Sequence, residues 1–117
     1  MILCYPVITF GENRHDGSRA ALLGDNPPES LIHLLSNELQ VTAGTPPTFL
    51  WHTANDGSVP VENSLLFASA LSHNKVPFDL HVFRDGPHGV GLAEDNPALR
   101  LWTECCSAWL NDIGFRK

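Results

Sequence analysis

Apolar residues fall in three short blocks separated by longer stretches of mixed pattern. The first, "ILCYPVITF" at 2–10, is nearly continuous and rich in β-formers, and it predicts a buried strand ending at Gly11. Pro6 within it lacks an N–H, which restricts the side on which that strand can pair. The second block, "TFLWHT" at 48–53, follows the punctuation "GTPP" and predicts a short strand. The third, "PFDLHVF" at 77–83, alternates in part and predicts another.

Helical spacing fills the gaps. Residues 11–28 are rich in turn formers and suit a long excursion with one short helical turn around 18–23. "NPPESLIHLLSNELQ" predicts a helix start, with Asn26 as cap, prolines in the first turn, and Leu31, Leu34 and Leu35 as its apolar stripe. Residues 61–75 predict a helix with Val61, Leu65, Phe67, Ala68 and Leu71 on one face and Asn74 near its end. Residues 97–114 predict a last helix between Pro97 and Gly114, burying Leu99, Trp102, Cys106, Trp109 and Leu110. Strands alternating with helices imply βαβ units and a parallel sheet, an α/β fold in three layers.

Composition narrows the picture further. A chain of 117 residues is enough for one domain, taken as 1–117, and 43% hydrophobic content supports a small core. A net charge of −6 with scattered basic residues excludes nucleic acid and anionic membrane as natural partners. The cysteines, Cys4, Cys105 and Cys106, form no C-x-x-C pair and read as apolar fillers in a reducing, cytoplasmic setting. No apolar run is long enough for a membrane span, and "MILCYPVITF" lacks the basic start and cleavage site of a signal peptide.

In open parallel sheets, chemistry collects where strands end. Three loops are predicted at that edge, after Phe10, Thr53 and Phe83. The second, "HTANDGSVP", carries Asp56; the third, "DGPHGVG", carries His88. A carboxylate beside an imidazole fixes its tautomer and stabilises the imidazolium. Asp is also common in N-D-G-S turns, and a loop histidine can be idle, so each residue alone reads as structural; the pair in this order reads as functional. Asn55 is the rival for the acid position but carries no charge. His15 and Asp16, in the first loop, read as solvated residues, with His15 the weaker candidate for touching a substrate. His52 reads as structural, and Trp51, Trp102 and Trp109 as core. His33, His73 and His81 show no partner in the sequence.

The paired loops resemble the C-terminal part of an α/β-hydrolase. "DGSVP" at 56–60 resembles that superfamily's D-x-x-V-P acid loop, and "GPHGVG" at 86–91 its histidine loop. The order Asp then His and the separation of 32 residues are similar too. "YPVITFGENRHDGSRAALLGDNP" and "LLSNELQVTAGTPPTFLWHTAND" look like the dienelactone-hydrolase and prolyl-oligopeptidase branch, closest to acetylxylan-esterase-like enzymes. The resemblance implies that the three strands are the last of an eight-stranded sheet. It implies Asp56 as triad acid, His88 as general base, no cofactor, and a small ester or acylated carbohydrate as substrate. His52 then sits at an H-G-like position of that family.

One element of the pattern is missing. None of Ser18, Ser30, Ser36, Ser58, Ser64, Ser72 and Ser107 has glycine at both −2 and +2, so no G-x-S-x-G elbow is present. By the resemblance, the nucleophile and the oxyanion donors would precede Met1. An imidazole and a carboxylate without a placed nucleophile give little catalysis. Three readings follow. The chain is the C-terminal portion of an esterase-type serine hydrolase, inactive alone, whose strand 2–10 exposes an edge for self-association or for a complementing N-terminal half. Alternatively it is a non-catalytic remnant serving as an interaction or oligomerisation module. A metal site from His15, Asp16, Asp56 and His88 has suitable ligand types but no supporting spacing.

Overall fold

The computed structural model describes residues 1–115. Its centre is a three-stranded parallel sheet in the order β1 (Ile2–Cys4), β2 (Thr48–Thr53), β3 (Phe78–Phe83). Cys4 stands opposite Trp51, and Trp51 opposite His81, so the strands run in step toward one edge. Helices α1 (Asp16–Leu23), α2 (Glu29–Leu35), α3 (Glu62–His73) and α4 (Pro97–Asp112) make the connections and the outer layers, with a 3-10 turn at Asn37–Leu39.

Every residue of β2 is buried, because the strand is covered on both faces. Leu50 points into a cluster with Ile8, Phe67, Leu71 and Val76, against α3. Phe49 and Trp51 point the other way, onto Cys106 and Trp109 of α4. Trp102 and Leu110 lie half-buried against that second cluster, so the predicted α4 face and the core reading of the three tryptophans agree with the fold. Asn96 caps α4 by accepting the Leu99 N–H at 3.2 Å, with Pro97 in the first turn, where no N–H is needed. No helix among the described residues is long and apolar enough to cross a membrane.

Three sequence expectations need correction. The strand predicted over 2–10 stops at Cys4. Tyr5 adopts a positive φ of 39°, Pro6 offers no N–H, and the chain leaves the sheet. Residues 8–10 are nonetheless buried, and side chains satisfy their backbone. Asn63 Oδ1 accepts the N–H of Ile8 at 2.9 Å and of Thr9 at 3.0 Å, and Ser36 Oγ accepts that of Phe10 at 3.1 Å. The first loop therefore departs after Cys4, not after Phe10.

The helix predicted with Asn26 as its cap starts at Glu29 instead, with Pro28 at the cap position and no side-chain cap bond. On α3, Leu65 is 47% exposed, while Asn63 and Ser64 are fully buried. Their polar atoms have partners on the loop and the sheet, which an apolar count misses. Asn74 caps the end of α3, its Nδ2 donating to the Ala70 carbonyl at 2.9 Å.

Candidate active site

The loops after β2 and β3 leave the same edge and are stapled together. The Ala54 N–H donates to the Phe83 carbonyl at 2.7 Å, and the Thr53 hydroxyl to the Gly86 carbonyl at 2.8 Å. Asn55, the rival for the acid position, instead bridges the loops. Its Nδ2 donates to the Asp85 carboxylate, and its Oδ1 accepts the Gly86 N–H at 3.0 Å. Gly86 lies where a Cβ would stand 2.5 Å from Leu99 Cδ1 and 3.1 Å from Thr53 Cγ2, so the third loop can pack this closely only with glycine there.

This arrangement brings Asp56 and His88 together. His88 Nδ1 lies 2.7 Å from Asp56 Oδ2. The carboxylate accepts, so Nδ1 carries the proton and Nε2 presents its lone pair. The His88 side chain is 32% exposed, whereas that of Asp56 has no exposure. Asp56 Oδ1 accepts two backbone N–H groups, from Ser58 at 2.8 Å and Val59 at 3.0 Å. Burial pushes the Asp56 pKa up. The hydrogen bond from His88 and those from Val59 and Ser58 outweigh it, so the carboxyl titrates below its ordinary value. At neutral pH the Asp56 carboxylate is ionised and turned toward His88 Nδ1.

Two residues that the sequence did not single out complete the surroundings. Tyr5 sets its ring at 64° to that of His88, centroids 4.7 Å apart, and packs edge-on to Trp51 at 5.0 Å. Its hydroxyl accepts the Gly91 N–H at 3.3 Å, and Trp102 Nε1 donates to the Gly91 carbonyl at 3.2 Å. The histidine loop is thus tied down beyond His88. A tyrosine ending a strand resembles any core aromatic in sequence, although its place just before Pro6 marks a turn. The second residue is Ser64, whose hydroxyl meets His52 Nδ1 at 2.8 Å. His52 is buried, as a structural residue would be, but its Nε2 also lies 3.3 Å from Asp56 Oδ2.

The remaining candidates have local roles. His15 caps α1, its Nδ1 accepting the Ser18 N–H at 3.1 Å. Asp16 opens the same helix and pairs with Arg14 at 2.8 Å on the surface. His81 lies 3.9 Å from Asp79 and packs on Phe49 with centroids 5.1 Å apart. Among the described residues, no three His, Cys, Asp or Glu side chains are grouped as metal ligands. The chemistry open to this edge is proton transfer by an oriented imidazole.

Comparison with known proteins gives the same setting. A profile of the prolyl oligopeptidase family matches residues 24–112. Endo-1,4-beta-xylanase B of Butyrivibrio fibrisolvens is 50% identical over 95 residues, spanning 81% of this chain and 15% of that protein. The crystal structure of an acetyl ester-xyloside bifunctional hydrolase from Caldicellulosiruptor lactoaceticus matches with a TM-score of 0.98 at 54% identity, over 99% of this chain and 43% of that one. Carboxylesterase Cest-2923 from Lactobacillus plantarum WCFS1 matches with a TM-score of 0.85 at 29% identity, over 99% of this chain and 45% of that one. The chain spans less than half the length of these solved relatives. The fold, the paired loops and the extent of the profile match agree: this chain belongs to the prolyl oligopeptidase family, within the α/β-hydrolase superfamily.

Proposed function

We propose that this chain supplies the acid and base of a serine hydrolase that cleaves carboxylic esters, with acetyl groups on carbohydrate as the substrate class. The observation that carries the reading is the 2.7 Å contact between His88 Nδ1 and the buried Asp56 carboxylate, which leaves Nε2 free at the sheet edge. The relatives support the substrate class by their names, an acetyl ester-xyloside hydrolase and a carboxylesterase. In the reaction, His88 Nε2 takes the proton of a serine hydroxyl as its oxygen attacks the ester carbonyl. The imidazolium, held by Asp56, returns the proton to the departing alkoxide as the C–O bond breaks. Water then repeats the sequence, releasing the acid and restoring the serine.

The sequence has no G-x-S-x-G, so the serine comes from outside these 117 residues and the chain alone is inactive. The complementing half, or a second copy, docks along β1. That strand is the end of the sheet order, with Met1 and Ile2 at 40% and 43% exposure. Beside it is an apolar groove of about 370 Å³ lined by Leu3, Pro6, Val7, Ile8 and Phe67 among others. The open edge also suits the second reading, a non-catalytic interaction module, although the unpaired edge is three residues long rather than nine.

The test is hydrolysis of p-nitrophenyl acetate by this chain, alone and mixed with the part of the Caldicellulosiruptor hydrolase that the match does not cover. Activity and fluorophosphonate labelling only in the mixture are expected. Co-elution of the two parts without hydrolysis overturns the catalytic reading in favour of the interaction module. Labelling of this chain alone overturns the assignment of an external serine.

A further inference from the structure

The acid–base pair leaves the buried imidazole of His52 without a part. Its ring has no exposure and lies on the α3 face of β2. Nε2 stands 3.0 Å from the Val59 carbonyl and 3.3 Å from Asp56 Oδ2. Both are acceptors, so Nε2 carries the proton; it is hydrogen-bonded to the Val59 carbonyl and stands within ion-pair distance of the Asp56 carboxylate. Nδ1 then offers a lone pair, and the buried Ser64 hydroxyl donates to it at 2.8 Å. The surroundings thus admit one tautomer. Burial holds the His52 pKa below its ordinary value, and the charge of His88 adds to this; the Val59 carbonyl and the Asp56 carboxylate oppose it without reversing it. The ring stays neutral beside the ionised acid.

Asp56 Oδ2 therefore faces two imidazole N–H groups, from His88 and from His52, while Oδ1 is filled by backbone. We propose that His52 is a positioning residue for the acid: locked as its Nε2–H tautomer by Ser64, it fixes Asp56 Oδ2 toward His88 Nδ1 and so decides which His88 nitrogen is left to take a proton. The acid and base roles rest on the function proposed above; the hydrogen-bond relay does not need esterase activity to be measured. A residue that only filled space at this position would act on Asp56 through burial alone, so leucine and glutamine would serve alike there, whereas a donor to the carboxylate is replaced by glutamine and not by leucine.

The experiment uses the whole chain and reads imidazole nitrogens by long-range proton–nitrogen spectra and the Asp56 carboxyl by carbon-13 titration. In the unaltered protein, His52 is expected as the Nε2–H tautomer throughout the neutral range, with His88 protonated on Nδ1. His52→Leu is expected to raise the Asp56 midpoint and to lose the low-field His88 Nδ1–H signal. His52→Gln, whose amide nitrogen can donate from the Nε2 position, is expected to restore both. Ser64→Ala, which leaves the ring in place, is expected to let the second His52 tautomer appear and to raise the Asp56 midpoint part of the way. An Nδ1–H tautomer of His52 in the unaltered protein overturns the proposal and requires no variant to fold. So does an unchanged Asp56 midpoint in both His52→Leu and Ser64→Ala. Failure of the esterase complementation, with these spectra as expected, would overturn the proposed function and leave the relay standing.

Discussion

Tyr5 and His88, 83 residues apart in the chain numbering, meet edge to face with ring centroids 4.7 Å apart, and Tyr5 does so from a backbone φ of 39°. A non-glycine residue in that region carries strain of roughly 1–3 kcal/mol, which persists only where the surroundings hold it. Here they do, through Trp51 on one side and the Gly91 N–H on the other. The positive φ at the end of β1 turns the chain out of the sheet and sets an aromatic wall against His88.

Tyr5→Phe keeps the wall and loses only the hydroxyl. The bond to Gly91 is long at 3.3 Å, so the expected loss is about 0.5 kcal/mol in urea unfolding. Tyr5→Ala removes the ring. It is expected to destabilise by about 2–3 kcal/mol, toward the lower end for large aromatics because Tyr5 is only half-buried. The His88 ring signals should broaden in Tyr5→Ala and stay sharp in Tyr5→Phe. Equal broadening in both would assign the effect to the hydroxyl instead.

The close approach of the histidine loop to α4 gives a second prediction. Gly86→Ala drives a methyl to within 2.5 Å of Leu99 Cδ1, and Leu99 is itself 1% exposed and cannot swing away. Overpacking of this kind costs about 1–3 kcal/mol. Leu99→Ala alone leaves a cavity and costs about 2–5 kcal/mol. In the double variant the added methyl enters space that Leu99 vacated, so the combined loss should fall short of the sum by 1 kcal/mol or more, roughly the coupling seen between touching residues. Strict additivity in denaturation would show that the two side chains do not compete for this space.

How much of this was legible in the sequence depends on how local each signal is. β2 and β3 announce themselves as short β-forming runs set off by turn formers, and every residue of "TFLWHT" is buried. The same apolar logic lengthened β1, because residues 8–10 are as buried as a strand while being none. What holds them is Asn63, fifty-five residues from Ile8, and nothing local to either marks that bond. Asp56 and His88 were readable because each lies in a short turn of recognisable composition. Tyr5, Ser64 and the Asn55 bridge were not, because each acts through a contact with a residue far from it in the chain or on another element.

Asn55 offers a prediction of its own. It accepts from Gly86 and donates to Asp85, so Asn55→Asp replaces a donor with a negative charge facing another carboxylate. Both side chains are solvent-exposed, which limits the loss of global stability to about 1 kcal/mol. The local effect should be larger. Hydrogen exchange at the Gly86 amide is expected to accelerate several-fold in Asn55→Ala, which loses the acceptor, and in Asn55→Asp, where repulsion from Asp85 pushes the acceptor away. An unchanged rate in both would mean that the Thr53 and Ala54 bonds hold the two loops without it.

The pH dependence of stability follows from His52 and Asp56 together. The folded pKa of His52 lies below the ordinary 6.5 because its ring is buried, with His88 adding to the effect and Val59 and Asp56 opposing it. As pH falls below 6.5, the unfolded chain takes up a proton that folded His52 refuses, and stability declines until the folded pKa is passed. One proton of difference corresponds to a slope of about 1.4 kcal/mol per pH unit at most. The Asp56 pKa is also lowered in the folded state, from an ordinary 3.8. Its contribution is present above that value and is lost as pH falls through the folded pKa, so it acts in a second, more acidic window. Chemical unfolding measured from pH 8 to pH 3 should therefore show a decline beginning near the histidine range, before the carboxylates titrate. In His52→Gln the first decline should shrink, because glutamine takes up no proton in either state, while the acidic one remains. Should His52→Gln retain the full early decline, the proton would belong to another histidine, and His52 would not be the group whose burial sets the onset.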